Sequence, residues 1–164
     1  MGYIMDLRKE LPNPCRPLIM CSAGVIIINN EGKVLLQQRT DNEKWGLPGG
    51  SIELGESFEE AAIREAYEEV NLKVNSLELF NVYSGKECHN IYPNGHEIYN
   101  ASAIFVSHDY EGELILDPEE TKDAVFFSKE EMPLLDEVNP PDRVVVRDII
   151  NKLDIEKYLK DRRI

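Results

Sequence analysis

The stretch from Ser57 to Asn71, SFEEAAIREAYEEVN, constrains this chain most, because it carries both ends of a helix and a charge pattern that a helix disfavours. Ser57 followed three residues later by Glu60 is a capping-box pattern, in which each side chain bonds the other residue's backbone N–H. Ile63, Ala66, Tyr67 and Val70 recur at about 100° per residue and predict the buried side. Asn71 stands where the helix should stop, and asparagine is the best non-glycine residue for a left-handed cap. On the opposite side lie Glu65, Glu68 and Glu69. Residues three and four apart are neighbours on a helix, so three carboxylates crowd together with only Arg64 beside them. Two such charges about 6 Å apart repel by about 3 kcal/mol at an effective dielectric of about 20, and by much less where water screens them. Either this face is solvated and paired through Glu60–Arg64 and Arg64–Glu68, or a positive ligand belongs there.

The rest of the chain reads as strands around that helix. Tyr3–Glu10 predicts a helical turn or two, and the prolines of LPNPCRP predict an extended run into the first strand. LIMCSAGVIII reads as a strand, NNEGK as a turn and KVLLQQR as the hairpin partner. In WGLPGG, Pro48, Gly49 and Gly50 demand a sharp turn or a close backbone approach. Strand-like runs follow at LELFNVYS, EIYNASAIFVS, ELIL and DAVFFS, with a turn at YPNG, Tyr92 to Gly95. A last helix is expected over 141–160, with Pro141 in its first turn. Strands, helix, strands, helix predict one α+β domain over 1–164, with a mixed sheet and a helix on each side.

Upstream of the helix the spacing becomes specific. Gly50 is followed by Glu56, then by Arg64-Glu65 and Glu68-Glu69, within GSIELGESFEEAAIREAYEEVNL, Gly50 to Leu72. This resembles the Nudix box, G-x5-E-x7-R-E-U-x-E-E-x-G-U with U a bulky apolar residue. Six of its seven fixed residues are present, and Asn71 stands in place of the box glycine, which its cap role tolerates. Ala66 is a small residue in an apolar slot. The resemblance, to MutT-like Nudix hydrolases, implies an α/β/α sandwich with residues 1–16 as an N-terminal extension. It also implies Mg²⁺, with Mn²⁺ as substitute, at a metal site made by Glu56, Glu65, Glu68, Glu69 and Gly50, with hard oxygen ligands from the glutamates. Glu68 and Glu69 would be the principal ligands, Glu56 an auxiliary one, and Glu65 a ligand or the group that orients water. Arg64, which cannot ligate a metal, would hold a glutamate through a bidentate pair. The implied reaction is hydrolysis of a nucleoside diphosphate linked to another group X. A nucleotide-binding domain without catalysis and RNA 5′-end processing are the alternatives.

Further candidates are less specific. Arg39, ending VLLQQR, stands where many family members place a phosphate-contacting arginine, and equally where a strand ends at the surface. Trp45, Tyr83, Tyr92 and Tyr99 offer rings for stacking on a base or sugar, Tyr92 foremost because it sits in a turn; each also suits a core or hairpin. Glu119 and Glu120 read as a solvated acidic loop, the kind of place from which some relatives draw an additional base. His89, His96 and His108 lack metal-ligand spacing, and the adjacent Cys88-His89 lacks a third group to orient it. The net charge of −13 argues against a DNA duplex as partner and would repel free phosphates unless cations reverse it locally. No apolar run is long enough to span a membrane, and charges stand where a signal peptide would be apolar. Gly2, with Leu7 near where Ser or Thr is wanted, is discounted as a myristoylation signal. Three cysteines without CxxC spacing predict a reduced, cytoplasmic protein. The first strand or last helix would serve a homodimer, though no residue fixes that interface.

Overall fold

The computed structural model describes residues 2–160, so the expected span of 1–164 runs outside it at Met1 and 161–164. Helix α1 (Tyr3–Glu10) precedes β1 (Leu18–Ile27), β2 (Val34–Arg39), β3 (Trp45–Gly46) and β4 (Gly49–Ser51). Helix α2 (Phe58–Val70) follows. Then come β5 (Lys73–Val74), β6 (Glu78–Tyr83), β7 (His89–Ile91), β8 (Glu97–Ser107), β9 (Tyr110–Glu111) and β10 (Thr121–Phe127). Helices α3 (Arg143–Lys152) and α4 (Ile155–Lys160) come last.

β1 is central, and from Ser22 onward its residues are buried on both faces. It pairs in parallel with β8 from Leu18↔Ile98 to Ile27↔Ser107, and antiparallel with β4 at Ser22↔Ser51 and Gly24↔Gly49. β6 and β7 both run antiparallel to β8, which completes a mixed sheet. Alternation divides the core. Val25 and Ile27 pack with Ala62, Ala66 and Val70 of α2, whereas Ile26 and Ile28 pack with Val145 and Ile149 of α3. Burying each such side chain is worth about 1.5–3 kcal/mol. The expected α+β sandwich, with a mixed sheet and a helix on each side, is therefore present.

Helix α2 has the predicted ends. Ser57 Oγ accepts from Glu60 N–H (3.1 Å), and Glu60 Oε2 accepts from Ser57 N–H (2.8 Å). Asn71 adopts φ 60°, ψ 25°, and its N–H reaches the carbonyls of Ala66 and Tyr67. The inward side is different from the expected stripe. Ala61, Ala62, Ala66, Val70 and Glu69 are buried, while Tyr67 is 58 % exposed. Glu69 is thus on the packed side rather than opposite it.

Four further expectations are corrected. LPNPCRP bends instead of running straight, with Arg16 N–H bonded to Asn13 O and Cys15 N–H to Asn13 Oδ1. β2 is not the sheet partner of β1. The two share one bridge at Ile28↔Val34 and then diverge; β8 pairs along one edge of β1, β4 with Ser22–Gly24 on the other, and β2 pairs instead with β10 and β3. ELIL forms no strand. Ile115 and Asp117 donate to the carbonyls of Val70 and Glu69, and Asn71 Nδ2 donates to Glu113 O, so this segment satisfies the end of α2. The last helix breaks at Leu153, which is extended; Asp154 Oδ1 then caps the next turn by accepting from Lys157 N–H.

Candidate active site

Two carboxylates of α2, Glu65 and Glu69, meet a third from a distant loop. Glu65, Glu69 and Glu120 each offer an oxygen within 4.8 Å of the others. Glu69 is 5 % exposed, and both of its bonds fall on one oxygen: Oε2 accepts from Gln37 Nε2 (2.6 Å) and from Gly49 N–H (2.9 Å). Gln37 is itself oriented, since Thr121 Oγ1 donates to its Oε1 (2.8 Å). The glycines admit this arrangement. A Cβ on Gly49 would stand 2.4 Å from Ala23 O, and one on Gly50 would stand 2.6 Å from Glu65 Oε1.

Arg64 organises the remaining acids. Its Nε and one terminal nitrogen donate to the two oxygens of Glu56 (2.6 and 2.9 Å), the other donates to Glu65 (2.7 Å) and Glu68 (3.1 Å), and a further bond reaches Ser51 O (3.1 Å). Glu56 also accepts from Glu53 N–H. Hydrogen bonding to Arg64 holds the Glu56 carboxyl below its ordinary range. Glu68, expected as a principal ligand, has 56 % of its side chain exposed and stands outside the group of Glu65, Glu69 and Glu120. Electrostatics set the inner pair apart. Burial, followed by the nearby charge of Glu65, pushes Glu69 up to about 8, and burial also raises Glu65.

Glu120 comes from a loop that the rest of the fold holds in place. Asp117 N–H bonds to Glu69 O, Thr40 N–H bonds to Glu120 O, and Thr40 Oγ1 donates to Glu119 O. These bonds tie the loop both to α2 and to the end of β2. The same end presents Arg39, whose guanidinium forms a fork with Asp41 (2.9 and 2.8 Å). Glu65, Glu69, Gly50, Arg39, Tyr92 and Glu120, with Glu119 beside it, line one cavity of about 520 Å³. Trp45 and Tyr99 do not line it. Trp45 packs edge-on against Phe127, with ring centres 5.1 Å apart, and Tyr99 lies on an exposed sheet face against His89. Tyr83 is buried and donates to Asp148, and Cys88 is buried with its thiol pushed up by that burial. Gln37 and Thr121 are not legible as site residues in the sequence, and Gly49 is legible only as part of a tight turn or close backbone approach. Gln37 left a faint signal, as a glutamine in the otherwise apolar VLLQ run of a buried strand.

Three hard oxygen donors converge on one point, the most buried of them held by two N–H groups on a single oxygen. That donor set suits Mg²⁺ or Mn²⁺ and gives soft metals no thiolate or imidazole. Gly50→Ala tests how closely the site is built. The added methyl displaces only the tip of Glu65, so stability should change by less than about 1 kcal/mol, while cation affinity measured by titration calorimetry should fall about tenfold. Unchanged affinity would separate Glu65 from the cation site.

Fold and site define an α/β/α sandwich with an acidic cavity floor. The family model for the NUDIX domain matches residues 20–149, and this chain belongs to that family. It is 39 % identical over 83 residues to a MutT-like protein of Streptomyces ambofaciens, covering 51 % of this chain and 53 % of that one. It is 38 % identical over 112 residues to an ADP-ribose pyrophosphatase of Methanocaldococcus jannaschii, covering 66 % and 62 %. The chain thus spans between about half and three-fifths of the length of these relatives. In fold, it is similar to a MutT NUDIX hydrolase from Burkholderia pseudomallei, with TM-score 0.67, 22 % identity, and 80 % and 98 % of the chains covered. Among the described residues no helix is long and apolar enough to cross a membrane.

Proposed function

We propose that this protein is a divalent-cation-dependent pyrophosphohydrolase acting on a nucleoside diphosphate linked to a further group X. The observation that carries this reading is the convergence of Glu65, Glu69 and Glu120 on the floor of a cavity of nucleotide size. These three would hold the cation, Mg²⁺ or Mn²⁺, with the exposed Glu68 as a further ligand. When bound, it offsets phosphate charge and acidifies a water. Gln37 and Gly49 fix Glu69, and Arg64 fixes Glu56 and Glu65, so the carboxylates are held before substrate arrives. Arg39 exchanges part of its fork with Asp41 for substrate phosphate. Water attacks phosphorus, the bridging P–O bond breaks, and the water's proton passes to the carboxylate cluster. Positioning and electrostatics supply most of the acceleration.

The test is hydrolysis with Mg²⁺ of nucleoside triphosphates including oxidised dGTP, ADP-ribose, NADH and diadenosine polyphosphates, with products identified by mass spectrometry. ADP-ribose belongs in the panel on the likeness to the Methanocaldococcus relative. Cleavage of at least one compound at a phosphoanhydride bond is expected. No cleavage across the panel, with cation bound, would overturn the reading in favour of nucleotide binding alone.

A further inference from the structure

Helix α1 lies outside the matched region 20–149, yet it forms part of the cavity wall. It is fixed from two directions. Arg8, 3 % exposed, donates to the carbonyls of Pro14 (2.5 Å), Arg16 (3.1 Å) and Glu97 (2.7 Å). At the other end Tyr3 N–H donates to Glu53 Oε2 (3.0 Å), and Glu53 N–H bonds Glu56, the partner of Arg64. The helix therefore reaches from the start of β8 to the loop that carries Glu56. With Arg8 spent on three carbonyls, the surface that α1 gives the cavity is mostly Ile4 and Met5.

Further apolar side chains line the cavity, beside Asn94 and His96. Met20 of β1, Ile98 of β8 and Pro93 of the Tyr92–Gly95 turn line the same space. Along β1, Ala23 pairs with Gly50, the glycine against Glu65, and Met20 lies three residues before it. Three strand residues span about 10 Å of backbone, so Met20 lies about one nucleoside's reach along β1 from the glycine that abuts Glu65. Two thioethers and two branched aliphatic chains make an adaptable apolar seat, with sulfurs that favour aromatic rings.

We propose that α1 is the specificity element of this site, seating the nucleobase of the substrate against Ile4, Met5, Met20 and Ile98, while the phosphates lie at Glu65, Glu69 and Glu120. The inference rests on reading the cavity as the substrate site. Because Ile4 and Met5 stand away from the bond that breaks, their contacts are equal in ground and transition states and act on KM rather than kcat.

The experiment compares the wild type with Ile4→Ala/Met5→Ala and with Ile4→Leu/Met5→Leu. Titration calorimetry with Mg²⁺ measures binding of AMP, GMP, CMP and UMP, and separately of inorganic pyrophosphate, which has no base. Steady-state kinetics follow for any substrate the panel yields, and circular dichroism checks the fold. The alanine pair should weaken the nucleotides that the wild type binds by about tenfold, raise KM alike with kcat kept, and leave pyrophosphate unchanged. The leucine pair should bind as the wild type does. Unchanged nucleotide affinity in the alanine pair, equal loss of pyrophosphate, or a wild type that binds none of the four would overturn the proposal. Nucleotide binding that depends on Ile4 and Met5 without hydrolysis would instead retain it and remove the proposed reaction.

Discussion

Glu69→Gln is expected to lower kcat by about 10³-fold or more, while the cation-free protein unfolds at the same temperature as the wild type or higher. Both parts follow from the same geometry. Glu69 is 5 % exposed, and its two bonds, from Gln37 and Gly49, fall on one oxygen. A glutamine places its carbonyl oxygen there and keeps both bonds, since both partners are donors. What it removes is a charge that burial and Glu65 already disfavour. Stability therefore holds, and the anionic ligand on which the proposed reaction depends is gone. Kinetics and calorimetric melting on one preparation decide it. A folded variant with near-wild-type kcat would remove Glu69 from the chemistry, and a large fall in melting temperature would refute the account of its packing.

What the sequence made legible was what neighbours in the chain determine. The ends of α2 were readable because the Ser57–Glu60 box and the Asn71 cap are each set within a few residues. The spacing from Gly50 to Glu69 was readable for the same reason. Pairing between distant segments was not. The NNEGK turn predicts a hairpin, and nothing local announces that β1 pairs with β8 and β4 while β2 pairs with β10 and β3. Helical periodicity placed Tyr67 inside and Glu69 outside, because an apolar stripe is read by residue type. In the fold the small Ala62 and Ala66 pack against the sheet, and the adjacent carboxylate is buried because Gln37, from another strand, satisfies it. Glu120 read as a solvated loop residue since its position depends on bonds from Thr40 and on the contact of Asp117 with the end of α2. The α1 wall was invisible for a related reason: Tyr3–Glu10 has helical character by itself, but its place over the cavity depends on carbonyls at Pro14, Arg16 and Glu97.

The stabilisation that Mg²⁺ confers should grow as pH rises from about 6 to about 8. Glu69 is pushed up to about 8 in the folded protein, against about 4.3 in an unfolded chain. A raised carboxyl favours the protonated form in the fold. Between those two values the native state binds more protons than the unfolded one, so the cation-free protein loses stability as pH increases through the window. Glu65, raised by its own burial, contributes in the same direction, whereas Arg64 opposes it and Glu120 adds like charge. A cation needs the ionised carboxylates, so it must displace these protons, and its affinity increases toward pH 8 before levelling. At a hundredfold excess over Kd the melting temperature should rise by about 5–10 °C near pH 8 and by clearly less near pH 6. In Glu69→Gln the dependence should flatten, leaving only the part due to Glu65. Differential scanning calorimetry across that range, with Mg²⁺ and with chelator, makes the comparison. A Mg²⁺ shift independent of pH in the wild type would mean that the cation binds to exposed acids, such as Glu68, and not to the buried pair.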